Sequence, residues 1–355
     1  MIADRPPPSA VKRRLIDAIG ARGPIPFDSF MEAALYGPGG FFSGEVLRSV
    51  RAGDFLTSPE VSSLFGATLG AFVSGERARI GEPFRVVEVG AGSGSLLAPL
   101  IEAAGVEAWA VELSPPARDA LEQLLPPERV VEDLELAIGR GVVIANELLD
   151  NLPMAVAVRR GGGWTEQLVA ASGEELNVIE APARSEVAEW ADRYSGPVRE
   201  GGLVEVQLPA ADWVRRVLGW LEAGALVAID YGATAEELES RRVTGTLRTY
   251  RSHHLGPDPL HAPGETDITA DVNFTALAAV AAQAGATVEL RRQDDFLADL
   301  GLRNTIRELR SEELELARSG DESSRLQVRS RRIDAEALVN PRGLGDFRVL
   351  VARMG

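Results

Sequence analysis

The chain has 355 residues, enough for one large domain or two smaller ones and for a sizeable core. Its 53 acidic residues outnumber 37 basic ones for a net charge of −16, which repels phosphate backbones and argues against a nucleic-acid partner. There is no cysteine, so disulfides, thiolate metal sites and cysteine nucleophiles are excluded.

The first ten residues, "MIADRPPPSA", lack the apolar stretch of a signal peptide and the Arg/Ser-rich character of a transit peptide. No apolar run approaches the length of a membrane span. The expected location is therefore the cytoplasm, with no membrane partner. Pro6 to Pro8 mark an extended leader. "AVKRRLIDAIG" and "FDSFMEAALYG" then have the spacing of short amphipathic helices. In "GDFLTSPEVSSLFG", Thr57 or Ser58 can cap a helix, Pro59 suits its first turn, and Glu60 stands three residues after Thr57 as in a capping box. Residues 1–80 are expected to form an N-terminal helical section.

The middle of the chain alternates. "FRVVEVG", "EAWAVEL", "RVVEDL", "GVVIANELLD" and later "ALVAIDYG" have the character of buried strands. Helical stretches such as "GSLLAPLIEAAG" and "SPPARDALEQLL", with Ser114 as its cap, separate the first three strands. This alternation predicts an α/β fold with a doubly wound, mostly parallel sheet over 81–152 and 203–355. Between them, 153–202 is expected to be an inserted α+β substrate lobe, with a hairpin at Gly161–Gly163 and a helix near "ARSEVAEWADRY". The final "GDFRVLVARMG" suits an antiparallel edge strand. A helix is expected over "ITADVNFTALAAVAAQAG", with Asp267 and Thr269 at its start.

Gly90, Gly92 and Gly94 follow the first strand and precede a helix. Glycine allows positive φ and lets a ligand approach the main chain closely. The spacing is G-x-G-x-G, which weakens a dinucleotide assignment. Glu88 stands just before the turn, Glu112 ends the second strand, Asp133 lies near the end of the third, and Asn146 and Glu147 end the fourth. This series suits S-adenosyl-L-methionine, a cofactor with a sulfonium, an ammonium, a ribose and an adenine but no phosphate. Glu112 is placed to take two ribose hydroxyls, Asp133 to meet the adenine amino group, and the bare backbone to admit the amino acid moiety. A tight structural turn with a solvated Glu accounts equally well for the glycines alone; Glu112 one strand later favours the cofactor.

The motifs "FMEAALYGPGGFF", "GDFLTSPEVSSLFG", "VVEVGAGSGSLL", "VELSP", "IANELLDNLPM", "AIDYG" and "HAPGETDITADVNF" occur in this order, and in them the chain resembles the MidA-type family of class I methyltransferases. The likeness covers most of the chain. It implies the class I sheet, S-adenosyl-L-methionine as cofactor and a methylated acceptor, an arginine of a complex I subunit in the family's mitochondrial member. It also implies that Thr57, Ser58 and Glu60 face the cofactor; Gly53-Asp54-Phe55, a turn with an acid and an aromatic, suits a lid, against the plainer possibility of a helix cap alone.

Asn146, Glu147 and Asp150 fall where open α/β sheets bind ligands, and make the candidate catalytic set. Glu147 and Asp150 are three apart and share a face if helical, so two carboxylates could hold a guanidinium by forked hydrogen bonds. All three histidines lie between Tyr250 and His261. Adjacent residues on an extended chain point opposite ways, so no metal is expected and 250–269 is assigned to a loop over the acceptor pocket. The resulting expectation is a cytoplasmic S-adenosyl-L-methionine-dependent methyltransferase acting on an arginine of a protein acceptor. The alternatives are a cofactor-binding assembly chaperone with little turnover and a small-molecule N- or O-methyltransferase.

Overall fold

The computed structural model describes residues 9–44, 57–134, 139–251 and 254–355. Contacts divide the chain into two compact units, each built from separated segments. Met1–Arg48, Leu149–Trp213 and Gly232–Leu277 form an antiparallel-sheet unit. Ser49–Leu148, Val214–Tyr231 and Ala278–Gly355 form a parallel-sheet unit. The Pro6–Pro8 leader, the Gly53-Asp54-Phe55 turn and His253 lie outside the described residues.

Seven strands make the main sheet of the parallel-sheet unit: β1 (Arg85–Val89), β2 (Glu107–Val111), β3 (Val130–Val131), β4 (Arg140–Asn146), β5 (Ala223–Asp230), β6 (Thr287–Arg292) and β7 (Arg348–Met354). Their order is β6-β7-β5-β4-β1-β2-β3. The pairs β3–β2, β2–β1, β1–β4 and β4–β5 are parallel, whereas β7 runs antiparallel to both β5 and β6. The chain winds outward from β1 to β3 and then returns to the other side of β1. The crevice beyond the carboxyl ends of β1 and β4 is therefore the topological switch point, where open sheets bind ligands.

Helices α1 (Ser58–Val61), α2 (Leu64–Ile80), α3 (Leu97–Ala104), α4 (Pro115–Leu121), α5 (Gln293–Asp299), α6 (Leu302–Ser319) and α7 (Glu322–Leu338) complete this unit. Phe65, Leu69 and Phe72 of α2, with Ala335 and Leu338 of α7, bury Val86, Ile144, Val227 and Val349 of the sheet. A smaller cluster of Ala91, Leu97, Ala108, Ala110 and Leu121 packs β2 against α3 and α4. Gly66 lets α2 close on the glycine-turn segment, for a Cβ there would lie 2.3 Å from the Leu96 carbonyl oxygen.

The last strand is antiparallel as expected, but it is not at the edge. Arg348 to Ala352 are buried in succession, as a strand covered on both faces requires. The edge is β6, half-buried along most of its length.

The other unit has its own antiparallel sheet, ordered Ile25–Pro26, Gly163–Ser172, Ala155–Arg160 and Leu203–Val206, with Glu175–Pro182 also paired to Gly163–Ser172. Gly161 and Gly162, at φ 55° and 82°, make the hairpin turn. Helices Ala10–Arg22, Phe27–Leu35 and Ser185–Tyr194 belong to the same unit. Arg248–Arg251 pairs with His254–Leu255 and with Asp267–Thr269 in a second small sheet.

Two expected boundaries therefore move. The 1–80 section is split between the units, and residues 250–269 group with 153–202 rather than with the parallel sheet. The helix expected from Asp267 begins only at Phe274. Its cap is Asn273, whose Oδ1 accepts the Ala276 N–H at 3.2 Å, because Asp267 and Thr269 are buried in strand pairing.

Candidate functional site

Gly90, Gly92 and Gly94 form the turn after β1, at φ 70°, 53° and 78°. The turn aims the Gly92 N–H at Oε2 of Glu112, 2.9 Å away, just past β2. Oε1 of the same carboxylate accepts the Ser114 N–H at 2.8 Å. Ser114 stands at the N-cap of α4 as expected, but makes no side-chain capping bond. A carboxylate offers about four lone-pair sites, so one remains on each Glu112 oxygen. Glu112 is half-buried, and its two oxygens are fixed in orientation by the backbone.

Glu88, on β1, is 4% exposed, and its Oε2 is buried with no hydrogen-bond partner. Burial, with a smaller contribution from the like charge of Glu112, pushes its carboxyl well above the ordinary range. Asn146 ends β4 and is also buried, with an unpartnered Oδ1. Its Nδ2 donates to Oε1 of Glu147 at 3.3 Å. Glu147 is the only non-glycine at positive φ among the described residues, at 50°. Its N–H donates to the Ile229 carbonyl at 2.8 Å, and its Oε1 also accepts the Ser58 N–H at 3.1 Å. The left-handed conformation costs a residue that carries a Cβ about 1–2 kcal/mol.

Thr57 is the N-cap of α1, and Glu60 reaches back to accept its N–H at 3.3 Å, the return half of the expected capping box. Glu60 also lines a cleft of about 470 Å³ with Ser62, Ser93 and Ser95. Ser58 is fully buried, and its Oγ lies 3.5 Å from Nε2 of Gln293. Nothing in "RRQDDF" singles out Gln293; its partners are remote in sequence and become visible only in the fold.

Asp133 and Asp150 differ in their surroundings. Asp133 is exposed beyond the two-residue β3. Asp150 belongs to the antiparallel-sheet unit, is 3% exposed, and accepts the Thr269 hydroxyl. Its carbonyl accepts the Ala270 N–H at 3.2 Å, and neighbouring Asn151 donates to Asp267 at 2.8 Å. Among the described residues no cluster of His, Asp or Glu is arranged to hold a metal ion, and no helix is long and apolar enough to cross a membrane.

A seven-stranded sheet in this order, with a glycine turn after β1 and an acid after β2, has the class I methyltransferase fold. Residues 69–290 match a family model described as "Putative S-adenosyl-L-methionine-dependent methyltransferase", and the chain belongs to that family. It is a methyltransferase whose cofactor is S-adenosyl-L-methionine.

The structure of a Burkholderia thailandensis protein bound to S-adenosyl-homocysteine is similar at a TM-score of 0.84 and 31% identity, over 97% of this chain and 92% of that one. A Xenopus tropicalis relative, "Protein arginine methyltransferase NDUFAF7, mitochondrial", is 27% identical over 83% of this chain and 76% of its own. The Homo sapiens protein of that name is 27% identical over 96% and 82%. These curated relatives are mitochondrial proteins, which overturns the cytoplasmic location expected from ten N-terminal residues.

The residues present fit the cofactor. The oriented Glu112 carboxylate retains one lone pair on each oxygen, the complement of a vicinal diol. The Asn146 Oδ1 is an acceptor without a donor, a buried group that costs about 1–3 kcal/mol unless a ligand or water meets it.

Proposed function

We propose that this enzyme methylates an arginine side chain of a protein, with Glu147 holding the guanidinium. The observation that carries the proposal is the Glu147 carboxylate itself. It stands at the carboxyl end of β4, in a strained backbone conformation, with Oε1 held by Ser58 and Asn146. Strain of this kind persists where the surroundings over-determine it, commonly at functional sites. The names of the curated relatives support arginine as acceptor, and a net charge of −16 favours a cationic partner surface.

Within this proposal the other site residues take the following parts. Glu112 holds the ribose, Asp133 faces the adenine, and Gly90, Gly92 and Gly94 leave room for the amino acid moiety. Thr57, Ser58 and Glu60 face the cofactor, while Asn146 serves both cofactor and acceptor. Bound cofactor supplies an electrophilic methyl group. Glu147 draws the positive charge of the guanidinium toward itself, which leaves one nitrogen more nucleophilic, and its carboxylate takes the proton that this nitrogen sheds. Holding that nitrogen in line with the methyl carbon is the main catalytic task.

The test is transfer of labelled methyl from the cofactor to proteins co-purified with the enzyme, followed by mass spectrometry. Methylarginine is the expected product. Label on lysine, on carboxylates, only in small molecules, or nowhere despite cofactor binding overturns the proposal.

A further inference from the structure

The geometry points to Gln293 as a positioning residue that sets the Glu147 carboxylate through Ser58. This rests on Glu147 being the acceptor-holding carboxylate, as proposed above. Gln293 opens α5 and is fully buried. Its backbone N–H is spent on the Phe347 carbonyl at 2.8 Å, just before β7. Its side-chain nitrogen has two donors and two acceptors within reach: the Leu338 carbonyl ending α7 at 3.2 Å, and Ser58 Oγ at 3.5 Å. Two acceptors on one nitrogen fix which way the amide faces.

Ser58 works on two sides at once. Its hydroxyl meets Gln293, and its backbone N–H meets Glu147 Oε1. It lies in α1, a single turn of four residues. So short a helix has little cooperativity of its own, and its place must be set by tertiary contacts. The Thr57–Glu60 capping bond holds the turn together but does not tie it to the rest of the unit. Gln293 does so, to the α7 terminus and the segment leading into β7. A shift of Ser58 moves the donor that orients Glu147, and misplacing a catalytic group by about 1 Å can cost on the order of a hundredfold in rate.

The test uses the full chain. Gln293→Met keeps the length of the side chain and removes its donors; Ser58→Ala removes only the Oγ acceptor and guards against a misfolded Gln293 variant. In nitrogen-15 spectra, Glu147→Gln defines the Ser58 amide resonance when its charged acceptor is lost. Gln293→Met is expected to move that resonance toward the same position. Turnover is expected to fall about ten- to a hundredfold in both Gln293→Met and Ser58→Ala. Affinity for S-adenosyl-homocysteine should stay within about twofold in Gln293→Met, and the loss of turnover in that variant should vanish in a Glu147→Gln background. An unmoved Ser58 resonance, or losses that add in the double variant, overturns the inference. If Glu147→Gln leaves turnover intact, the acceptor assignment fails instead, and the Ser58 resonance still decides whether Gln293 positions it.

Discussion

The backbone N–H of Ser58 donates to Oε1 of Glu147 at 3.1 Å, although 89 residues separate them in sequence. This bond joins the short helix after the Gly53-Asp54-Phe55 segment to the end of β4. Asn146 supplies a second donor to the same oxygen, so Glu147 is oriented by a neighbour on its own strand and by a distant turn. The bond from its own N–H to the Ile229 carbonyl fixes the Glu147 backbone at φ 50°, and these two donors fix its carboxylate.

Glu147→Gln keeps the shape of the side chain and an oxygen to accept the Ser58 N–H, while removing the charge. Methyl transfer to the native acceptor should fall by about a hundredfold or more, and calorimetric affinity for S-adenosyl-homocysteine should change little. A parallel loss of both would make Glu147 a cofactor residue.

Glu112→Ala removes a carboxylate with two distinct duties. The Gly92 and Ser114 N–H groups lose their acceptor, and the ribose would lose two charge-assisted bonds of about 1.5–3 kcal/mol each. Cofactor affinity should drop at least about tenfold, the equivalent of 1.4 kcal/mol. Melting temperature should fall as well, because the turn is held by the same side chain. A lower melting temperature with unchanged affinity would assign Glu112 to structure alone.

Much of this site is visible in the sequence because its parts are local. A strand, a three-glycine turn and the acid one strand later occupy Arg85 to Glu112, where hydrophobic period and glycine spacing carry the information. The place of β7 is not local: strand order depends on pairing with β5 and β6, and an apolar "RVLVA" looks alike at an edge or in the interior until its neighbours are known. The helix start at Phe274 was displaced in sequence terms because "DITADVN" is polar enough to pass for a capping region, yet it pairs as strand. Gln293 leaves no trace in composition, since Ser58 lies 235 residues away. Nor does a sequence show that Glu147 is left-handed, a conformation expected of glycine.

Asp150→Ala tests whether this buried carboxylate serves the fold or the site. The substitution takes the acceptor from the Thr269 hydroxyl in a buried place. Leaving such a donor unsatisfied costs about 1–3 kcal/mol. Denaturant unfolding should show that loss, while affinity for S-adenosyl-homocysteine stays at the wild-type value. A large drop in affinity without loss of stability would return Asp150 to the binding site.

Glu88 gives the protein a pH dependence whose sign follows from its burial. Desolvation, reinforced by the nearby Glu112 carboxylate, raises its folded-state pKa well above the ordinary carboxylate range. The folded protein therefore holds this proton more tightly than the unfolded chain does. The stability it contributes is fully present below the unfolded pKa and is lost as pH rises through the raised folded value. Glu88→Gln has no proton to lose and should escape the decline. Unfolding free energies of the two proteins, measured over a pH series, should diverge in favour of the glutamine variant from the ordinary carboxylate range upward. While the proton is held only by the folded state, the slope of that difference approaches about 1.4 kcal/mol per pH unit. Glu112→Gln in the wild-type background removes the like charge and should bring the end of the decline to lower pH, leaving its onset and the larger desolvation effect in place. A difference between Glu88→Gln and wild type that does not vary with pH would show that Glu88 is not held protonated by the fold.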